Sequence, residues 1–229
     1  MNYSIIIPLY NEEKNVETLL KEISIVIEKI KNNREFELIF IDDGSTDNTF
    51  KKLLNLKEKH SFKILKHKLN LSQSTAIYNG IRNSKFENLI FLDGDGQNDP
   101  NDLEDMIKNF EKGYDLIHGY RKDRKDKFFT KILPSKFANF LVRLITGSKI
   151  KDHGCSIKVL KKNVLDNSIF WGDFHRLFAA RLNLKNLKFM QMPTNHRRRI
   201  YGDSKYGFYR VFKVFIDLIY IKLFHNKKN

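Results

Sequence analysis

The 229 residues are 41% hydrophobic and 13% aromatic, which suits one globular domain and excludes a disordered or low-complexity chain. The one cysteine excludes an internal disulfide framework and suits a reducing compartment. A net charge of +15 is carried unevenly: residues 1–119 hold 16 Lys and Arg against 20 Asp and Glu, whereas residues 120–229 hold 26 against 7. A positive field in the second half attracts phosphates, whether on a nucleotide, a nucleic acid or a lipid surface.

The opening "MNYSIIIPLYNEE" has neither a basic n-region nor a small-residue cleavage site. It reads as a strand, which points to a cytoplasmic protein. Short apolar runs then alternate with longer amphipathic ones: "YSIIIP" before 12–31, "ELIFID" before 46–60, "FKILKH" before 72–85, and "NLIFLD" before 101–112. That alternation predicts βαβ units, hence an α/β fold with a mostly parallel sheet flanked by helices. Ser45 or Thr46, and Ser72, stand where helix N-caps are expected. After "YDLIHGYR" comes a charged stretch at 121–127, read as a loop, and then a helix over 128–146 that Pro134 should interrupt or kink. A further helix is predicted over 206–224, with Arg210, Lys213 and Asp217 on one face and a broad apolar stripe opposite. Charges interrupt it too often for a membrane span. Two placements stay open: packed on the sheet, or lying in a membrane interface with Lys222, Lys227 and Lys228 beside the headgroups.

Ligands of open α/β sheets bind beyond the carboxyl ends of the strands, and three polar turns fall at such ends here. "PLYNEE" places Pro8, Tyr10 and Glu12 there; "FIDDGSTDNT" adds Asp43, Ser45 and Thr46, which also read as helix caps; "LDGDGQNDP" adds Asp93, Asp95 and Gln97. Gly94 and Gly96 let the last turn fold tightly enough for its carboxylates to share a cation. Oxygen donors from Asp95 and Gln97 suit a hard divalent ion such as Mg or Mn. An EF-hand reading fails because Asn98 stands where the loop glycine belongs, while a solvated turn remains the plain alternative.

Together the three turns resemble the family 2 glycosyltransferases of the GT-A fold, in which "PLYNE" and "DDGS" look like nucleotide motifs and "DGDGQ" like the metal-binding D-x-D. In the second half, "GYR" at 119–121, "DHGCSIKV" at 152–159, "HR" at 175–176 and "NHRRRIYGDSKYG" at 195–207 resemble the dolichol-phosphate mannose synthase-like branch. The resemblance runs from Ser4 to about Tyr220. It implies one GT-A domain over 1–229, with a nucleotide- and metal-binding half (1–119) and a basic half (120–229) facing acceptor and membrane. Pro8, Tyr10, Glu12, Asp43, Asp93 and Gly94 would then hold the nucleotide sugar, Asp95 and Gln97 the metal, and Arg121, Arg199 and Lys205 the phosphates. The implied reaction is inverting transfer from a GDP- or UDP-sugar to a polyprenyl (dolichyl or undecaprenyl) phosphate. A saccharide or surface-glycan hydroxyl acceptor is the alternative.

Charge builds on the departing diphosphate, so a dication and planar guanidinium forks from Arg121 and Arg199 suit the chemistry. Lys205, between two glycines, could close over substrate, and the run at 196–199 reads equally as a solvated basic patch. A phosphate acceptor is already ionised, so Asp152 would position groups; a sugar hydroxyl would need it as base. His175 reads first as a structural histidine and Cys155 as a small packed residue. The basic half and "FFTKILPSKF" favour peripheral docking on the cytoplasmic face of an anionic membrane, with a membrane-embedded partner a further candidate. A nucleic-acid-binding protein would explain the charge but not the acidic turns, and no nucleic-acid-binding signature is present. A catalytically silent interaction module would leave three intact donor motifs without a use.

Overall fold

The computed structural model describes residues 1–123, 132–165, 170, 172, 174–182, 184–201, 217–218 and 221. The predicted alternation appears as β1 (Tyr3–Leu9), α1 (Val16–Ile30), β2 (Phe36–Asp42), α2 (Thr49–Lys57), β3 (Lys63–Lys66), α3 (Gln73–Arg82), β4 (Asn88–Phe91) and α4 (Asp102–Phe110). The second half adds β5 (Leu116–Arg121), α5 (Leu133–Thr146), β6 (Lys158–Lys161), α6 (Phe174–Arg181) and β7 (Phe189–Thr194). The seven strands form one sheet in the order β3-β2-β1-β4-β6-β5-β7. β6 runs antiparallel to both β4 and β5, while the remaining pairs are parallel.

All seven residues of β1 are buried because helices cover both faces of the sheet, which is why this strand reads as an unbroken apolar run. Tyr3, Ile5, Ile7 and Leu9 pack toward α1, α2 and α4, and Ile6 joins residues of α3 and α6 on the opposite face. Full burial of each aliphatic side chain contributes about 1.5–3 kcal/mol.

Two local expectations are corrected. Residues 128–131 of the predicted helix lie outside the described residues; the described part, α5, begins at Leu133, and Pro134 stands in its first turn rather than at a kink, where its missing N–H has no partner to lose. Ser45 and Thr46 do not cap α2, whose N-cap is Asn48, because both hydroxyls bond Asn11 across the turn. Ser72 does cap α3, its Oγ accepting from Thr75 N at 3.2 Å. Of the helix predicted over 206–224, only Asp217, Leu218 and Ile221 are described. Leu218 and Ile221 are buried with Val142 of α5 and Leu177 of α6. Among the described residues no helix is long and apolar enough to cross a membrane. One face of α5 is nevertheless open: Leu133, Phe137, Phe140 and Leu144 are 50%, 58%, 52% and 68% exposed at helical spacing. Lys136 and Arg143 are exposed on the same helix.

The chain winds from β1 outward to β2 and β3, then crosses to place β4 on the other side of β1. That reversal opens a crevice beyond the carboxyl ends of β1 and β4. The turn after β4 is pressed against β1 there: a Cβ on Gly94 would lie 2.2 Å from Leu9 Cδ2 and 2.8 Å from Pro8 O.

Charge is also buried between β5 and β6. Lys158, opposite His118 in register, donates from Nζ to the carbonyls of Cys155 (2.5 Å) and Ser156 (3.1 Å). Burial first, then the positive charge of Lys158, pushes fully buried His118 well below its ordinary pKa, and its Nδ1 lies 2.7 Å from Gly119 O. His153 is lowered to about 4, chiefly by burial and further by Lys158 and Arg143, with Asp152 opposing. Neither ring nitrogen of His153 has a hydrogen-bond partner.

Two measurements check this packing. Gly94→Ala must push against β1 backbone and should cost about 1–3 kcal/mol, seen as a thermal midpoint several degrees lower. For His153, the unfolded chain binds more protons than the fold between pH 6.5 and about 4, so its contribution is present above that window and is lost as pH falls through it. His153→Leu should remove roughly 3 kcal/mol of the difference in urea-unfolding free energy between pH 7 and pH 4. An unchanged difference would assign the acid sensitivity elsewhere.

Candidate active site

Three turns meet at the crevice because β1 pairs in parallel with both β2 and β4, with Leu9 opposite Asp42 and Ile6 opposite Phe91. Beyond β1 the chain bends through Asn11, whose φ of 54° is left-handed. It then buries Glu12, whose backbone N–H donates to Thr49 Oγ1 at 2.8 Å and whose Oε2 accepts from Asn15 Nδ2 at 2.6 Å. Pro8 lies inside β1 and half-buried Tyr10 directly follows the strand.

Asp43 is buried at the end of β2 and accepts three bonds: His67 Nδ1 at 2.7 Å, Leu71 N at 3.0 Å and Ser72 N at 3.0 Å. It thereby ties the β3–α3 connection to the crevice and fixes the start of α3. Gly44 must be glycine in this turn, because its φ is +70° and a Cβ would sit 2.2 Å from the Leu69 carbonyl carbon.

On the acidic turn, Asp93 Oδ1 accepts from Gln73 Nε2 at 2.7 Å, and Asp95 Oδ1 accepts from Gln97 N at 3.0 Å. Arg199 donates from Nη2 to Asp95 Oδ2, and its Nη1 lies 3.9 Å from Glu12 Oε1. Burial raises the Asp95 pKa to about 6 against this guanidinium, with the charges of Asp93 and Glu12 adding to the rise. Gln97 is stitched to the basic segment: its carbonyl accepts from Arg197 N at 2.9 Å and its Nε2 donates to Arg197 O at 3.2 Å. Arg197 itself bonds Glu22 and Asp99, each at 2.7 Å.

Arg121 and Asp152, singled out separately in the sequence, form a fork-to-fork pair, Nε to Oδ2 at 2.6 Å and Nη2 to Oδ1 at 2.7 Å. Gly154 makes room for it, since a Cβ there would meet Arg121 Nη2 at 2.6 Å. Breaking such a buried pair on one side costs about 3–5 kcal/mol. His175 binds Ser74 Oγ through Nδ1 at 2.7 Å, joining α6 to α3. Cys155 is buried, 3.7 Å from Thr194 Oγ1, and burial pushes its thiol up to about 11, far from thiolate chemistry. Lys205 lies outside the described residues.

The turns after β1, β2 and β4 thus bring Tyr10, Glu12, Asp43, Asp93, Gly94, Asp95 and Gln97 to one edge of the sheet, where Arg199 joins Asp95; Pro8 is buried within β1, and Arg121 at the end of β5 pairs with Asp152 in the segment before β6. Sequence reasoning missed Gln73, Lys158 and Asn98. Gln73 follows the Ser72 cap and Asn98 follows the acidic motif, but Gln73 bonds Asp93 from 20 residues away and Asn98 bonds Ser156, 58 residues on, besides Asp93 in its own turn. Asn98 Oδ1 accepts from both Asp93 N (2.9 Å) and Ser156 Oγ (2.8 Å).

The donor set was tested against a divalent cation. Among the described residues no group of three or more His, Cys, Asp or Glu is arranged to hold a metal by itself. Magnesium is commonly held by one or two carboxylates with substrate phosphates and water completing the shell. Asp95 fits that mode, being a buried oxygen donor beside two further carboxylates with Arg199 as the cation in contact.

A family model described as glycosyl transferase family 2 matches residues 4–170. Dodecaprenyl-phosphate galacturonate synthase of Rhizobium johnstonii is 33% identical over 236 residues, covering 100% of this chain and 68% of that protein. Undecaprenyl-phosphate 4-deoxy-4-formamido-L-arabinose transferase of Proteus mirabilis is 31% identical over 220 residues, covering 94% of this chain and 66% of that protein. The chain therefore spans about two thirds of these relatives' length. Glucosyl-3-phosphoglycerate synthase from Mycobacterium tuberculosis, crystallised with Mn2+, UDP and phosphoglyceric acid, superposes with a TM-score of 0.64 at 15% identity, over 86% of this chain and 71% of that one. S. aureus TarS 1-349 in complex with UDP gives 0.61 at 20% identity, over 96% and 66%. At those identities the structural likeness concerns the fold, the GT-A arrangement expected from the three turns. With the family model spanning most of the sequence and a 33% identical relative aligned along all of it, the chain belongs to glycosyl transferase family 2.

Proposed function

We propose that this glycosyltransferase moves a sugar from a nucleotide-sugar donor to a polyprenyl phosphate at a membrane surface. The observation that carries the reading is the 31–33% identity to two proteins that both bear a polyprenyl-phosphate acceptor in their names. The crevice supplies the chemistry. Pro8, Tyr10, Glu12 and Asp43 would hold the nucleotide, Asp93 its ribose or the metal with Gly94 in the same tight turn, and Asp95 with Gln97 a divalent ion, Mg or Mn. Bound there, the ion would neutralise charge building on the departing diphosphate.

Arg199 and Arg121 share that task from the protein side, Arg199 exchanging Asp95 for phosphate oxygens and Arg121 turned toward them by the fork with Asp152. Removing one such preorganised group costs ~3–4 kcal/mol of barrier. Lys205, two residues beyond Asp203 in the same basic segment, is assigned to the phosphates with them. Asp152 acts by orienting Arg121, both of its oxygens being engaged by that fork. A phosphate acceptor is ionised at neutral pH and needs no strong base.

The open face of α5 gives the enzyme a surface for lipid: apolar side chains at helical spacing, with Lys136 and Arg143 to meet anionic headgroups. The membrane face in question would be the cytoplasmic one, where the nucleotide sugar is made available.

The reaction is tested with a panel of UDP- and GDP-sugars, Mg or Mn, and a short-chain polyprenyl phosphate, with the product identified by mass spectrometry. A lipid-linked monosaccharide is expected; transfer only to saccharide hydroxyls would replace this reading with the glycan-acceptor one. In the same assay Asp152→Asn should lower kcat while leaving the shape of the pH–rate profile unchanged, and loss of one limb would make Asp152 a base. Membrane docking is checked by co-sedimentation: the chain should pellet with anionic vesicles and less with neutral ones. Phe137→Ser with Phe140→Ser should abolish pelleting while the unfolding midpoint holds, since both rings are exposed.

A further inference from the structure

We propose that Asn98 is a positioning residue which couples occupancy of the donor crevice to the segment Asp152–Ser156, read here as the acceptor-side segment, through its hydrogen bond with Ser156; the inference rests on the donor site assigned above. Asn98 is buried, and its one side-chain oxygen serves two donors, the Asp93 amide at 2.9 Å and the Ser156 hydroxyl at 2.8 Å. A carbonyl oxygen has two acceptor positions, so these two bonds fill it. The same residue forms an isolated antiparallel bridge with His196, and its neighbour Gln97 is bonded to Arg197 through both backbone and side chain. Asn98 thus stands where the acidic turn, the acceptor-side segment and the basic segment meet.

The far side of the link is stiff. Lys158 Nζ bonds the carbonyls of Cys155 and Ser156, Asp152 O accepts from Cys155 N at 3.2 Å, and Asp152 Oδ1 accepts from Gly154 N at 3.2 Å. Asp152 ends the segment in its fork with Arg121. Ser156 is therefore linked to Arg121 through a five-residue segment closed by these bonds. On the near side, the Asp93 amide belongs to the turn whose carboxylates face the donor. If that turn shifts on taking up a diphosphate, Asn98 Oδ1 must follow it or lose a bond inside the protein, and Ser156 Oγ follows Asn98. Coupling of this kind is reciprocal, so occupancy on the acceptor side adjusts the donor turn equally.

The test is hydrogen–deuterium exchange of the full chain, alone and with Mn2+ plus UDP or GDP, read on peptides covering residues 150–161. In the wild type, nucleotide should slow exchange there by about fivefold or more, the low end of ordinary coupling between sites. Ser156→Ala deletes only the hydroxyl and leaves the Asn98–Asp93 bond; it should bring the ratio to about one, with nucleotide affinity unchanged within about twofold, inside the spread expected of a side chain outside the nucleotide site. Ser156→Thr, which keeps the hydroxyl, should restore the slowing. Asn98→Ala should remove the coupling too, and combining it with Ser156→Ala should add nothing further. A wild-type ratio of one, a Ser156→Ala ratio equal to wild type, or a Ser156→Thr variant that behaves like alanine each overturns the proposal. Because no acceptor is used, these failures leave the acceptor assignment standing. A wild type that binds neither nucleotide overturns the donor reading and this inference together.

Discussion

Parallel pairing of β1 on both of its edges is the constraint from which the site follows. A strand hydrogen-bonded to β2 on one side and β4 on the other has to be buried on both faces, and its seven buried residues satisfy that. Since all three strands point the same way, the turns that leave them must open on one edge of the sheet, and the reversal of winding at β1 keeps any helix from filling the gap. Polar groups collected there would otherwise be spread over 80 residues of chain. The apolar strands carry the cost of holding them, and Gly94 sets how closely the acidic turn can approach β1.

Within that edge, positive charge is matched rather than left loose. Arg121 is held by Asp152, Arg197 by Glu22 and Asp99, and Arg199 by Asp95. Half-buried guanidinium groups need such partners, because an unpaired charge removed from water costs several kcal/mol. The pairing also preorganises the forks: under the proposed function a phosphate would meet guanidinium groups already desolvated and aimed by their carboxylates. The described positive charge of the second half is placed in different ways. Its arginines near the crevice are committed to carboxylates, while Lys136, Arg143 and Arg198 face solvent.

Legibility in the sequence followed the range over which each feature is determined. Strands β1 to β4 and their helices were readable because their apolar runs, turns and the Ser72 cap are local patterns. β6 was not, since "KVLK" is four residues long and owes its reversed direction to the slot between β4 and β5. Ser45 and Thr46 have the right residue type for caps, yet the competing partner, Asn11, lies 34 or 35 residues away. The site residues of the acidic turns were legible as motifs, whereas their partnerships were not: Arg121 and Asp152 stand 31 residues apart and only the sheet brings them together. Asn98 was invisible for the same reason, its side chain having no local partner that would mark it except the turn it closes.

The segment Asp152–Ser156 lies between the acidic turn and α5. On one side Ser156 reaches Asn98 and, through it, the amide of Asp93. On the other, the backbone N–H of His153 donates to Asn139 Oδ1 at 3.0 Å, a side chain of α5, whose outward face carries Phe137 and Phe140. His153 is adjacent to Asp152, so the helix assigned to lipid is one hydrogen bond from the residue that orients Arg121. A lipid-borne phosphate cannot diffuse freely to its site; it arrives at a fixed depth set by the bilayer. In the proposed docking, a helix resting on the bilayer and bonded to the segment that begins at Asp152 would fix the height of the site relative to the headgroups.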